Sequence, residues 1–171
     1  RGVVHDGTEY PVDVLIYATG FRWMATSTFN MIVGREGRTL RDKWQEEGTK
    51  TFLGLHSKGF PNLFIVSGPQ GGGCSFNFTN AIEEHGDYVV WMLDTLRKAG
   101  KDLVDVKAEH EDDYAEHCQA ADELTRPLRD CITYYNGHGE AEPGSLAYYG
   151  GGAWHKYRIR AQESLDPYVF E

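Results

Sequence analysis

The clearest helical period in the chain runs over residues 79–99, where Ile82, His85, Val89, Met92, Leu93 and Leu96 recur at i, i+3, i+4 and i+7 spacing. Asn77 stands where an N-cap belongs, and Glu83 and Glu84 lie near the positive end of the helix dipole. Lys98 and Gly100 supply a C-terminus. A second helix is expected over 109–124, with Tyr114, Cys118, Ala121 and Leu124 inward, acids outward and Pro127 as its boundary. A shorter one is expected through residue 46, capped by Thr39, with Leu40 and Trp44 sharing a face.

Elsewhere the apolar pattern is that of strands. Val3-Val4-His5 and Thr8-Glu9-Tyr10 flank Asp6-Gly7, a favoured hairpin pair, and Pro11 ends the second arm. Residues 13–18 and 63–67 are nearly continuous apolar runs, which suit strands covered on both faces in a parallel sheet. Phe60-Pro61-Asn62 reads as the turn into the second run, and Gly68-Pro69-Gln70-Gly71-Gly72-Gly73 as a loop out of it. From Tyr134 onward glycine and tyrosine dominate, periodicity is weak, and loops are expected. The pattern predicts one α/β unit.

Composition narrows the class. At 171 residues with 40% apolar and 25% charged content, the chain can bury one good-sized core. The net charge of −9 and the lack of a Lys/Arg cluster argue against nucleic-acid or anionic-membrane surfaces. No apolar run approaches the ~18 residues of a membrane span. Cys74, Cys118 and Cys131 show no CxxC or zinc spacing, so a reducing, cytoplasmic setting is expected. The chain opens on Arg1 with no leader and reads as a piece of a longer protein.

Candidate chemistry gathers at two places. Asp13-Val14-Leu15-Ile16-Tyr17-Ala18-Thr19-Gly20-Phe21 is a strand ending that lets backbone approach a ligand at a sheet's carboxyl edge; the alternative is a core strand and a sharp turn. The glycine loop before the long helix forms an oxygen-binding helix N-terminus or a plain connection. It has neither P-loop nor dinucleotide spacing. His85 sits on the inner stripe and reads as a core histidine. His110 and His117, amid Glu109, Glu111, Asp112 and Asp113, read as a solvated acidic face rather than a metal site. Ser75 lies in no Gly-x-Ser-x-Gly context and Cys74 has no paired base, which leaves nucleophilic catalysis without support.

In order, these segments resemble the C-terminal part of class B flavoprotein monooxygenases, and most closely Baeyer–Villiger monooxygenases acting on phenylacetone, cyclohexanone and steroids. Asp13 to Phe21 resembles that family's Asp-x-x-x-x-Ala-Thr-Gly-Phe/Tyr motif. Leu40-x-x-x-Trp44, Thr51-Phe52-Leu53-Gly54-Leu55, Gly59-Phe60-Pro61-Asn62-Leu63-Phe64, Gly68-Pro69, Asn77 and Ile82-Glu83-x-His85 follow in family order. Tyr134-Tyr135 resembles a Trp-Tyr pair, and His155-Lys156-Tyr157-Arg158 a late basic-aromatic motif.

The resemblance implies part of a Rossmann-like, three-layer fold binding FAD and NADP. Residues 1–171 would be the C-terminal portion of the FAD-binding domain, with 1–20 at the junction to the NADP-binding domain. It implies an NADPH- and O₂-dependent conversion of ketones to esters or lactones through a C4a-peroxyflavin. Ala18, Thr19, Gly20, Asn77, Phe78, Thr79 and Tyr134 would face the cofactors, and Gly73, Cys74 and Ser75 the ketone pocket. The family's glycine-rich motifs, its Phe-x-Gly-x-x-x-His signature and its catalytic Arg are absent from these 171 residues. The main catalytic residues are therefore expected outside the chain, on an N-terminal remainder that serves as its partner, and the chain alone is expected to be inactive. Two alternatives stay open: an N- or S-oxidising flavin monooxygenase, and a non-enzymatic fragment or partner subunit of a split flavoprotein.

Overall fold

The computed structural model describes residues 2–20, 27–71, 77–120 and 153–171. Strands β1 (Gly2–His5) and β2 (Thr8–Pro11) form the expected antiparallel hairpin, with Val4 opposite Glu9 and Gly2 opposite Pro11. Asp6 and Gly7 take φ of 49° and 76°, the positive values that a two-residue turn matching strand twist requires.

Residues 13–18 correct the first strand expectation. They form no strand, and Val14 and Ile16 are 74% and 82% exposed. A run of this composition becomes a buried strand only between neighbours that complete its hydrogen-bond ladder and cover both faces. No described strand pairs with it. The run at 63–67 is also not a strand. The Ile65 N–H donates to the Leu55 carbonyl at 2.8 Å, but Ser67 turns into the left-handed region at φ 55°, which ends the extension.

Helix α1 (Thr28–Met31) precedes α2 (Leu40–Glu47), whose start is a full capping box between Thr39 and Asp42. Leu40 and Trp44 share the buried face, as expected. They pack with Phe29 and Phe60 in a small core, where the Phe29 and Trp44 rings meet edge-on at 4.9 Å.

Helix α3 (Phe78–Ala99) carries the long period and ends at Gly100 in the left-handed conformation. Its buried stripe is Ala81, His85, Tyr88, Met92 and Leu96. His85, Met92 and Leu96 were expected there, whereas Ile82 and Leu93 are exposed and Val89 only half-buried. Two apolar faces compete on this helix, and the face turned toward the aromatic core is the one buried. Helix α4 (Ala108–Ala120) buries Tyr114 and Cys118 as expected, and Ala121, Leu124 and Pro127 lie outside the described residues.

The end of the chain departs from the loop expectation. Helix α5 (Ala153–Ser164) places Trp154 and Ala161 in the core with Tyr157 against it. Strand β4 (Tyr168–Phe170) pairs antiparallel with β3 (Val104–Val106), Val106 opposite Tyr168. Strands of three residues are too short to show a period, and glycines obscure the start of α5. The fold is thus mixed helix and strand, and both described sheets are two-stranded and antiparallel. No described helix is long and apolar enough to cross a membrane.

Candidate functional site

Ahead of the long helix in sequence, two backbone segments cross at Gly54 and Gly71. Gly54, at φ 67°, lies so close to Gly71 that a Cβ on it would fall 2.0 Å from the Gly71 Cα. Only glycine permits that approach. Gln70, buried and itself at φ 63°, ties the crossing. Its Oε1 accepts from the Thr51 amide at 3.0 Å and the Thr51 hydroxyl at 2.8 Å, and its Nε2 donates to the Thr49 carbonyl at 3.1 Å. The Tyr114 hydroxyl donates to the Gln70 carbonyl at 2.8 Å, and Trp154 Nε1 donates to the Leu53 carbonyl at 2.9 Å. These buried bonds bind residues 67–71 to residues 49–56 and to two helices.

At the start of α3, Asn77 Oδ1 accepts from the Thr79 amide at 2.9 Å, the expected cap. Asn77, Phe78 and Thr79 are exposed, Phe78 to 65%. The first N–H groups of a helix have no intrahelical partner, so this end presents donors and partial positive charge beside an exposed aromatic ring. Two turns on, buried His85 reaches back. Its Nδ1 accepts from the Ser67 amide at 3.0 Å, and its ring lies 5.1 Å from that of Trp154. Burial lowers the pKa of His85. Arg158 covers Trp154 at 5.0 Å and pairs with Glu84 at 3.0 Å, fastening α5 to α3.

Behind these residues Tyr88 links His56 and Tyr168 in a buried polar string, with the His56 Nε2 at 3.0 Å from the Tyr88 hydroxyl. Full burial depresses His56 to about 3 and raises both tyrosines. Buried Cys118 is pushed up to about 12, so its thiol stays protonated and is no nucleophile.

Of the residues singled out in the sequence, Ala18, Thr19 and Gly20 are exposed, Gly20 at φ 74°. Gly73, Cys74, Ser75 and Tyr134 lie outside the described residues. The acidic face on α4 needs one correction. Glu111 is buried, not solvated, because Lys43 Nζ meets it at 2.7 Å. His110 pairs with Asp166 at 2.9 Å, and no group among the described residues has the makings of a metal site. Gln70 and Trp154 were not anticipated. The available signal was a lone amide side chain inside a glycine loop, which is costly to bury unless it is fully bonded.

No protein-family model matches the chain. A Baeyer-Villiger monooxygenase of Streptomyces coelicolor is 36% identical over 97% of the chain and 28% of its own length. The Baeyer-Villiger monooxygenase peniC of Penicillium patulum is 34% identical over 90% of the chain and 27% of its own length. Among solved structures, an oxidised steroid monooxygenase bound to NADP superposes with a TM-score of 0.73 at 28% identity, over 99% of the chain and 32% of its own. The chain thus spans under a third of the length of the relatives it matches. Along nearly all of its length the chain is similar in sequence to Baeyer–Villiger monooxygenases and in fold to a steroid monooxygenase.

Proposed function

We propose that this chain is the part of a flavin-dependent monooxygenase that completes the FAD-binding domain, in an enzyme that uses NADPH and O₂ to convert ketones to esters or lactones. The observation that carries the reading is the continuous match to oxygenating flavoenzymes over nearly the whole chain. The domain assignment is a Rossmann-like FAD-binding domain over residues 1–171, joined to the NADP-binding domain at 1–20. The exposed apolar run at 14–17 supports it, because its composition calls for strands contributed from elsewhere.

The start of α3 fits a flat anionic cofactor. An aromatic ring suits a planar heterocycle, and helix N–H groups suit the negative charge of reduced flavin. Asn77, Phe78 and Thr79 would lie against FAD, Ala18, Thr19 and Gly20 would lie between the nucleotides, and Tyr134 would stand near NADP. Gly73, Cys74 and Ser75 would line the ketone pocket. Bound FAD supplies oxygen activation, with electrons from NADPH. This chain's residues supply position and exclude water. The crossing at Gly54 and Gly71 fixes the loop, the Gln70 side chain ties it to residues 49–51, and His85 accepts its Ser67 amide. The groups that act directly on the reacting oxygen belong to the rest of the enzyme, so the chain by itself is inactive.

The test is an absorbance spectrum and intact mass of the protein from its natural source, followed by NADPH oxidation with cyclic, aromatic and steroid ketones. Flavin bands, a polypeptide longer than this chain or a co-purifying second one, and ester or lactone product are expected. Oxygen transfer only to amines or sulfides would replace ketone oxidation with N- or S-oxidation. A colourless 19.3 kDa protein without turnover would overturn the reading.

A further inference from the structure

The imidazole of His85 holds one specific bond that its burial alone does not require. Its Nδ1 accepts the Ser67 amide at 3.0 Å, and Ser67 occupies the left-handed region at φ 55°, uncommon for a residue with a side chain. Gly71 closes on the same ring from the other side of the loop, where a Cβ would stand 3.1 Å from the His85 Cε1. The ring is backed by Trp154, which Arg158 covers and Leu53 holds through its carbonyl. His85 thus touches both ends of residues 67–71 and stands two turns into the helix that begins at Asn77.

We infer that His85 is a positioning residue that sets the loop 67–71, and with it the start of α3, at the geometry coupled oxygen transfer needs. This rests on the monooxygenase reading given above. A backbone N–H pointing at Nδ1 requires a lone pair there, so the ring must be neutral with its proton on Nε2. A second proton would put two donors face to face and release Ser67 from its left-handed turn. Such a turn persists only while its surroundings hold it. His85 is eight residues from Asn77 and acts through the loop, so it takes no proton from substrate. The other charged groups near it are Glu84 on its own helix and Arg158 on α5, which pair with each other at 3.0 Å.

The experiment compares wild type, His85→Leu and His85→Asn in the full-length flavoprotein. Asparagine keeps an acceptor where Nδ1 lies and leucine keeps only bulk. Three readouts are taken: FAD content, hydrogen exchange at the Ser67 and Gly71 amides, and ester formed per NADPH consumed across pH 5.5–8.5. For H85L we expect FAD content within twofold of wild type, at least tenfold faster exchange at Ser67, and several-fold lower coupling, the missing electrons appearing as hydrogen peroxide. H85N should recover most of both exchange protection and coupling. Wild-type coupling should fall toward low pH, and H85L coupling should not change over that range. Unchanged exchange and coupling in H85L would overturn the inference while leaving the function intact, as would an H85N variant no better than H85L. A wild type that oxidises no ketone would overturn the function and this inference together.

Discussion

Lys43 and Glu111 form a buried ion pair that ties α2 to α4, with Nζ 2.7 Å from Oε2 and both side chains at most 3% exposed. The pair is fully bonded. Nζ also donates to the Ser57 hydroxyl at 2.9 Å and the Lys58 carbonyl at 3.1 Å, and Glu111 accepts the Lys58 amide at 2.9 Å. Burial pulls the Lys43 pKa down and Glu111 pulls it back up. Removing either partner leaves a buried charge uncompensated. K43M and E111L should each cost about 3–5 kcal/mol, and the double variant much less than their sum. Denaturant melts of the three variants check this, and additive losses would refute it.

Gly54 is the position most sensitive to a single added carbon. A methyl there meets the Gly71 backbone and must be carried at φ 67°. Because the neighbour is backbone, no rotamer change relieves the clash. G54A is expected to lose about 3 kcal/mol or more, whereas Gly37→Ala, positive in φ but open to solvent, should lose about 1 kcal/mol. Thermal unfolding of both separates the packing contribution from the backbone one.

His56 makes stability depend on pH. Its folded pKa of about 3 lies below the ordinary 6.5, so the unfolded chain takes up a proton first as pH falls. The stability it contributes is complete above pH 6.5 and is lost as pH drops toward 3, with a slope approaching about 1.4 kcal/mol per pH unit. His85, also lowered by burial, acts in the same direction. Urea unfolding of wild type and His56→Asn between pH 7 and 4.5 should show a flatter dependence in the variant, and parallel curves would contradict the assignment.

Asn77 caps α3 through one side-chain bond to the Thr79 amide. N77A should destabilise by about 1 kcal/mol. In the full-length flavoprotein it should also weaken FAD retention, which dialysis followed by the ratio of flavin to protein absorbance would measure. A loss of stability with unchanged FAD retention would place the cofactor away from this helix end.

The run at 14–17 makes the chain prone to associate. Val14, Leu15, Ile16 and Tyr17 are all exposed and consecutive. A contiguous apolar patch whose backbone pairs with no described strand invites pairing with another copy. Sedimentation of the 171-residue chain alone should show concentration-dependent association, and V14K with I16K should shift it toward monomer. A monodisperse, cooperatively melting wild-type monomer would overturn this.

Much of the local structure was legible along the chain, because its causes lie within a few residues. Asp6-Gly7 suits positive φ, Thr39 and Asp42 form a reciprocal cap, and Asn77 and Gly100 bracket a helical period whichever of its faces is buried. The family motifs at 13–21 and 40–85 were likewise readable. Tertiary structure alone decided the rest, since those outcomes depend on neighbours distant in sequence. The runs at 13–18 and 63–67 carry strand composition, yet a strand exists only where a partner completes its ladder. The inward face of α3 was set by the aromatic core formed with Phe52, Tyr114 and Tyr168, which turned Tyr88 in and Ile82 and Leu93 out. Glu111 looked solvated among other acids, and only the arrival of Lys43 from 68 residues away made its burial tolerable. Periodicity and capping are properties of adjacent residues. Pairing, burial of charge and the close crossing of Gly54 and Gly71 arise only when distant segments meet.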